Sequence, residues 1–285
     1  MSEPRPDDVD DDLTGSAGPI ESIVDLGRFP LHRPGTVAYT ELLERCRREF
    51  AEHGMFDLVG FLRPDAVARS VRELRPLVER ESFLHAREHN VWFLPDDEVR
   101  AVHGVDASHP SLARMRTANR TVCADRMTST LVVAVYEWAP LRTFVAAAVG
   151  APELHLMDDP LARVNVMSYR HGEALQWHFD RAAFTTTLLL QRPDRGGRFE
   201  FRQGLRTVDV IDHDALGRTV SGHDPDVQRR DVHPGTLNVF AGHDTVHRVE
   251  PVEGDIDRLI AVYSWADAPG TRFTDAERIG FYGRA

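Results

Sequence analysis

The 285-residue chain is 42% hydrophobic and 28% charged, an ordinary globular composition that excludes a disordered or membrane-embedded polypeptide. Its 45 acidic against 34 basic side chains give a formal net charge of -11, which repels nucleic-acid phosphates, and no basic run offsets it. The longest uncharged apolar stretches, 131–136 and 144–152, fall far short of the roughly 20 residues that span a bilayer, so neither a nucleic acid nor a membrane is an expected partner.

Residues 1–18, rich in Asp, Pro, Ser and Gly, are expected to form a flexible tail, and 19–285 a single domain. The tail lacks the apolar core of a secretory signal, and Cys46 and Cys123 are too few for a disulfide scaffold or a cysteine-rich metal site. A cytoplasmic location follows. Helical support is expected over about 37–150. Leu42, Leu43, Cys46 and Phe50 recur at helical spacing before Gly54, and Pro64 opens a second helix running to 79. A third helical region, 129–149, stops at Gly150 and is broken near Pro140. A short strand is expected at 56–62, but the first half reads as mainly α.

After Pro160, β-branched and aromatic residues occur in short runs bounded by Gly, Pro and Asp, giving a β core over about 160–266. Strands are expected at 163–169, 174–179, 184–191, 198–201, 207–210, 237–241, 245–251 and 258–265, a pattern suited to a sandwich or barrel. The charged stretch 210–234 reads as a surface loop, and its His213, His223 and His233 have no ligand-like spacing.

Chemistry concentrates in two segments. In Trp177-His178-Phe179-Asp180, an imidazole and a carboxylate two positions apart on a strand face the same way. Further on, two apolar strands flank Glu253-Gly254-Asp255, which reads as a hairpin projecting His247 and Arg258 from one face. His178, Asp180 and His247 would complete a two-histidine, one-carboxylate triad that leaves three positions of an octahedral iron(II) open. Arg258 would hold the carboxylate of 2-oxoglutarate through paired charge-assisted hydrogen bonds. His243 is the rival third ligand, four residues before His247 as in zinc-binding helices, although Gly242 and β-branched neighbours oppose a helix there.

These residues resemble the prolyl-hydroxylase-like branch of the iron(II)- and 2-oxoglutarate-dependent oxygenases. The finer likeness is to the bacterial free-amino-acid halogenases and their hydroxylase relatives. It runs through His89-Asn90-Val91-Trp92-Phe93, Asn165-Val166-Met167, the His178 segment, Thr187-Leu188-Leu189-Leu190-Gln191 and Gly196-Gly197-Arg198-Phe199-Glu200, covering roughly 80–265. The resemblance implies an α+β fold with a double-stranded β-helix, jelly-roll or cupin-like core and N-terminal supporting helices. It also implies Fe(II), 2-oxoglutarate and O2, with release of succinate and CO2. In the halogenases of that group, by the same resemblance, a small residue replaces the carboxylate so that chloride can bind iron. Asp180 retains it, so hydroxylation of a small polar metabolite, such as a free amino acid or derivative, is the expected outcome. Desaturation, cyclisation, halogenation and a non-catalytic cupin-like binding role are the alternatives.

Tyr169 is a candidate donor to the far carboxylate of 2-oxoglutarate, or else a core residue. His89, Asn90, Trp92 and Asn165 are candidate substrate contacts, and the first three alternatively cap a loop. Arg181 follows the metal carboxylate, where it either opposes a substrate ammonium and attracts a carboxylate or phosphate, or is a solvated arginine at a strand end. The sequence does not indicate an oligomeric state.

Overall fold

In the computed structural model, which describes residues 19–207 and 210–285, local sequence signals start and stop the first elements. The first half runs α1 (Ile20–Ile23), α2 (Val37–His53), β1 (Met55–Leu58), α3 (Pro64–Glu81), β2 (Phe83–His89), α4 (Asp96–His103), β3 (Met115–Cys123), α5 (Leu131–Glu137) and α6 (Ala139–Val149). The second half is β4 (His155–Leu156), β5 (Val164–Tyr169), β6 (Leu175–His178), β7 (Thr185–Gln191), β8 (Arg195–Gly196), β9 (Phe199–Arg202), α7 (His213–Val220), β10 (Gln228–Arg230), β11 (Leu237–Phe240), β12 (Val246–Val249), β13 (Val252–Glu253), β14 (Arg258–Tyr263), β15 (Trp265–Ala266) and α8 (Asp275–Tyr282). Thr36 caps α2 by accepting from the Tyr39 amide at 3.3 Å, and Gly54 ends it at φ 61°. Pro64 opens α3, whose Ala66, Ser70, Leu74 and Val78 line its buried face at a spacing of four.

The major sheet has the order β1-β11-β7-β14-β5-β3-β2, and the minor sheet β10-β9-β12-β6, all pairings being antiparallel. Helices α2, α3, α5 and α6 bury one face of the major sheet in the principal core, where Leu74, Val135, Phe144, Val166 and Leu188 are all buried. Burying a Leu, Val or Phe there contributes about 1.5–3 kcal/mol. A second core packs α4, α7 and the segment around Trp92 against Trp177, Phe179 and Val246 of the minor sheet. Both sheets are thereby backed and held rigid. No single helix among the described residues is long and apolar enough to cross a membrane; α5 and α6 pass that test only as a pair bent by 59°.

The first half is mainly α, as expected, but β2 and β3 also extend the major sheet, strands whose charged and polar residues hid the alternation. Two expectations are corrected. The stretch 210–234 is not merely a loop: it contains α7, capped by Asp212 and buried through Ala215 and Leu216, and β10. His247 and Arg258 do not share a two-stranded hairpin. β12 pairs with β6 and β9 in the minor sheet, β14 with β5 and β7 in the major sheet, and β13 pairs with β8 between them. Gly254, at φ 98°, lets the chain cross between sheets, and the Asp194 carboxylate accepts from the Asp255 and Ile256 amides on the way. The expected tail 1–18 lies outside the described residues, as do Val208 and Asp209 of the expected strand 207–210.

Candidate metal centre

Antiparallel register brings the two key imidazoles together. His178 of β6 pairs directly with His247 of β12, and their ring centroids lie 4.2 Å apart. Both are buried, at 5% and 3% exposure. His178 Nδ1 donates to the Gln176 carbonyl and His247 Nδ1 to the Thr245 carbonyl, each at 2.8 Å. A carbonyl can only accept, so each Nδ1 carries the proton and each Nε2 turns a lone pair inward.

Asp180, two residues beyond His178, supplies the carboxylate. Its Oδ1 lies 3.3 Å from His178 Nε2 and 3.6 Å from His247 Nε2, and the three donor atoms fall within 4.8 Å of one another. No other such group of His, Cys, Asp and Glu occurs among the described residues. The Asp180 amide donates to the Gly242 carbonyl at 3.0 Å, and Thr185 Oγ1 donates to Asp180 Oδ2 at 2.5 Å. Gly242 is required by space: a Cβ there would stand 2.0 Å from Asp180 Oδ2.

The electrostatics suit a cation. Burial acts to raise the Asp180 pKa, but His247, His178 and the Thr185 hydroxyl together hold it well below the usual carboxylate range. Burial and the neighbouring His178 push His247 down to about 4, which keeps its imidazole neutral and able to ligate. Two imidazole nitrogens and an ionised oxygen form the donor set that divalent iron accepts.

A separate polar group lies between Tyr169 and β14. Arg258 pairs with Tyr169 across β14 and β5 and is only 4% exposed, and its guanidinium carbon lies 5.6 Å from the Tyr169 ring centroid. Its buried Nη1 has no hydrogen-bond partner, an arrangement that calls for an anion. A small cleft bordered by Leu189, Gly197, Phe199, Val232 and Arg258 adjoins it. The Tyr169 hydroxyl, pushed up to about 12 by burial, stays protonated and meets only the Met167 sulfur, at 3.6 Å. This leaves it a donor.

Four expected substrate contacts are committed elsewhere. The Asn90 amide nitrogen donates to the Leu94 carbonyl and Asp96, and its oxygen accepts from the Trp92 and Leu94 amides, so it organises a turn. Both His89 nitrogens are engaged, by the Asn90 carbonyl and the Thr117 hydroxyl. Trp92 stacks on Phe179 at 4.9 Å, in the core on the side of the minor sheet away from the metal group, because Trp177 and Phe179 alternate with His178 and Asp180. Asn165 donates to the Leu161 and Val164 carbonyls and accepts from the Tyr282 hydroxyl, tying β5 to α8. Arg181 is exposed and paired with Glu277 at 2.9 Å. His243, the rival ligand, is 40% exposed and turned onto Asp244, outside the metal group. Sequence reading missed Thr185, Gly242 and Phe93; the Gly242 beside a polar loop was the available signal.

A family model described as Halogenase D matches residues 38–273. The chain belongs to that family. Among solved structures, it is similar to SnoN, a non-heme alpha-ketoglutarate-dependent epimerase from nogalamycin biosynthesis, with TM-score 0.56 and 16% identity over 80% of this chain and 82% of that one. SnoK, a carbocyclase from the same biosynthesis, gives TM-score 0.53 and 15% identity over 85% and 92%. A prolyl hydroxylase from Trichoplax adhaerens gives 0.51 and 12% over 82% and 94%. At these identities the likenesses establish the fold, the double-stranded β-helix of the iron(II)/2-oxoglutarate oxygenases. A search of curated proteins returned no match.

Proposed function

We propose that this halogenase D family member is an iron(II)- and 2-oxoglutarate-dependent oxygenase that hydroxylates an unactivated C–H bond of a small polar metabolite. The observation that carries the reading is the convergence of His178 Nε2, Asp180 Oδ1 and His247 Nε2 within 4.8 Å. We assign the metal to these three residues, the far carboxylate of 2-oxoglutarate to Arg258, and a supporting hydrogen bond to the Tyr169 hydroxyl. We read residues 19–285 as one catalytic domain of a cytoplasmic enzyme.

When bound, iron and 2-oxoglutarate supply the oxidant, with O2 consumed and succinate and CO2 released. The chain's own residues orient and shield. The Gln176 and Thr245 carbonyls fix both imidazoles, the Thr185 hydroxyl fixes the carboxylate, the Gly242 carbonyl fixes the Asp180 backbone amide, and Phe93, Phe199 and Phe240 pack against the histidine rings. Halogenation is the second reading, favoured by the family's description. Against it, Asp180 retains the carboxylate that, by the family resemblance, a small residue replaces in the halogenases. A free amino acid or derivative is the substrate class suggested by the family likeness.

Incubation with iron(II), 2-oxoglutarate, O2, chloride and a metabolite panel tests this. The expected result is succinate with a product heavier by one oxygen, abolished in Asp180→Ala. A chlorinated product, or full activity of Asp180→Ala, would overturn the reading.

A further inference from the structure

The metal group has a cationic neighbour that no carboxylate among the described residues neutralises. On β2, His85, Arg87 and His89 alternate onto one face, opposite Asn119, Thr117 and Met115 of β3. His89 stacks on Phe93 with centroids 3.9 Å apart, and the Phe93 ring meets His178 edge-on at 5.3 Å. Phe93 sits at φ 55°, a left-handed conformation that costs a residue other than glycine about 1–3 kcal/mol. That strain holds an aromatic ring between the metal group and β2. The Arg87 guanidinium carbon lies 4.3 Å from the same ring, so one phenyl group separates a cation from a proposed metal ligand.

Arg87 is half-buried, its Nε is shut off from solvent without a hydrogen-bond partner, and no carboxylate among the described residues lies within ion-pair distance of it. The charged group that acts on it is another cation, Arg181. Both guanidinium carbons stand 5.6 Å from the ring of Phe281, next to the last residue of α8. Arg181 has Glu277 for a partner, but that pair is exposed and exchangeable. In a chain with net charge -11, two neighbouring arginines of which only Arg181 has a carboxylate partner make a local reversal of sign. A half-buried guanidinium without a counter-ion is costly until an anion supplies one.

We infer that Arg87 and Arg181, with His85 beside Arg87, form the anion subsite of the substrate, so that the molecule oxidised carries a carboxylate or phosphate group at this end. This rests on the reading of the centre as an oxygenase, which fixes where a substrate must lie. Arg87 is the principal anchor, because its fork is free, and Arg181 joins by leaving Glu277. His85 contributes a hydrogen bond rather than charge. Its Nε2 is buried and unpartnered, and burial followed by Arg87 holds its pKa near 4, leaving the ring neutral. An ammonium placed between Arg87 and Arg181 would meet repulsion here.

The experiment follows the Arg87 Nε–H resonance by NMR in protein labelled with 15N-arginine, loaded with zinc and saturating 2-oxoglutarate so that no turnover occurs. Arg87→Lys assigns the signal. The probes are N-acetylglycinate and phenyl phosphate, with N-acetylglycinamide and glycinamide as the neutral and cationic controls. A saturable shift with either anion and none with the controls is the expected result, and the anion that binds more tightly separates carboxylate from phosphate recognition. Arg87→Gln should weaken that binding about tenfold or more, as loss of a charged hydrogen-bond partner does, while 2-oxoglutarate affinity stays unchanged. No saturable shift with either anion, an equal shift with the amide, or undiminished anion binding by Arg87→Gln would overturn the assignment. If zinc or 2-oxoglutarate fails to bind, the oxygenase reading fails instead, and the anion titration of the metal-free protein still decides the subsite.

Discussion

Replacing Gly242 by alanine probes the seating of the proposed metal carboxylate, Asp180, with one methyl group. The added Cβ would stand 2.0 Å from Asp180 Oδ2 and 2.7 Å from Cγ, whereas ordinary contact begins near 3.4 Å, so the carboxylate must retreat by more than about 1 Å. It has little room to do so. The Asp180 amide is tied to the Gly242 carbonyl and its Oδ2 to Thr185, while metal–ligand distances tolerate only about 0.2 Å. Overpacking of this kind costs about 1–3 kcal/mol, a fall in Tm of a few degrees to about 10 degrees for a chain of this size. Metal affinity should fall by about a hundredfold or more, since displacing a ligand costs at least as much as losing the group that orients it. Competition titration of zinc or iron(II) against a chromophoric chelator measures this, with thermal denaturation as a check on folding. Gly280→Ala is the control, because a Cβ there meets nothing within 4 Å. A Gly242→Ala protein binding metal within twofold of wild type would refute the placement of Asp180 as a ligand.

Thr185→Val removes the 2.5 Å hydrogen bond to Asp180 at nearly constant shape and should weaken metal binding about 10–100-fold in the same titration. Arg258→Met removes a buried cation whose Nη1 lacks a partner, so Tm without cosubstrate should hold or rise, while 2-oxoglutarate affinity falls at least about a hundredfold and its thermal stabilisation vanishes. His85 has a folded pKa near 4 against 6.5 unfolded, so the unfolded chain takes up the proton first. Its contribution is full above pH 6.5 and is lost as pH falls toward 4; His85→Gln should flatten the stability–pH slope of the metal-free protein there by up to about 1.4 kcal/mol per pH unit, measured by denaturant titration.

The donor set was legible because its physics is local. His178 and Asp180 are two residues apart at a strand end, and strand alternation fixes their common direction. His247 was legible only through its context, since nothing near it in sequence announces that it will pair with His178. The hairpin expected to join it to Arg258 failed for a tertiary reason: two backed sheets recruit the two strands separately, and short-range turn signals at Gly254 do not encode a change of sheet. β2 escaped notice because its inward positions are His85, Arg87 and His89, which obey the period of two but carry no apolar signature. Asn90 and Asn165 looked like recognition residues by type. Their hydrogen-bonding capacity is instead consumed by backbone groups and Tyr282, partners that only the folded chain supplies. Gly242 was visible as a glycine, but its necessity depends on a carboxylate arriving from 62 residues away in sequence.

A crystal structure of the protein with iron(II) and 2-oxoglutarate, grown and frozen without oxygen, tests the central claim most directly. The account predicts metal bonded to His178 Nε2, Asp180 Oδ1 and His247 Nε2, with the far carboxylate of 2-oxoglutarate on Arg258 beside the Tyr169 hydroxyl. Metal held by His243 in place of His247, or a 2-oxoglutarate carboxylate that leaves Arg258 unpartnered, would contradict it.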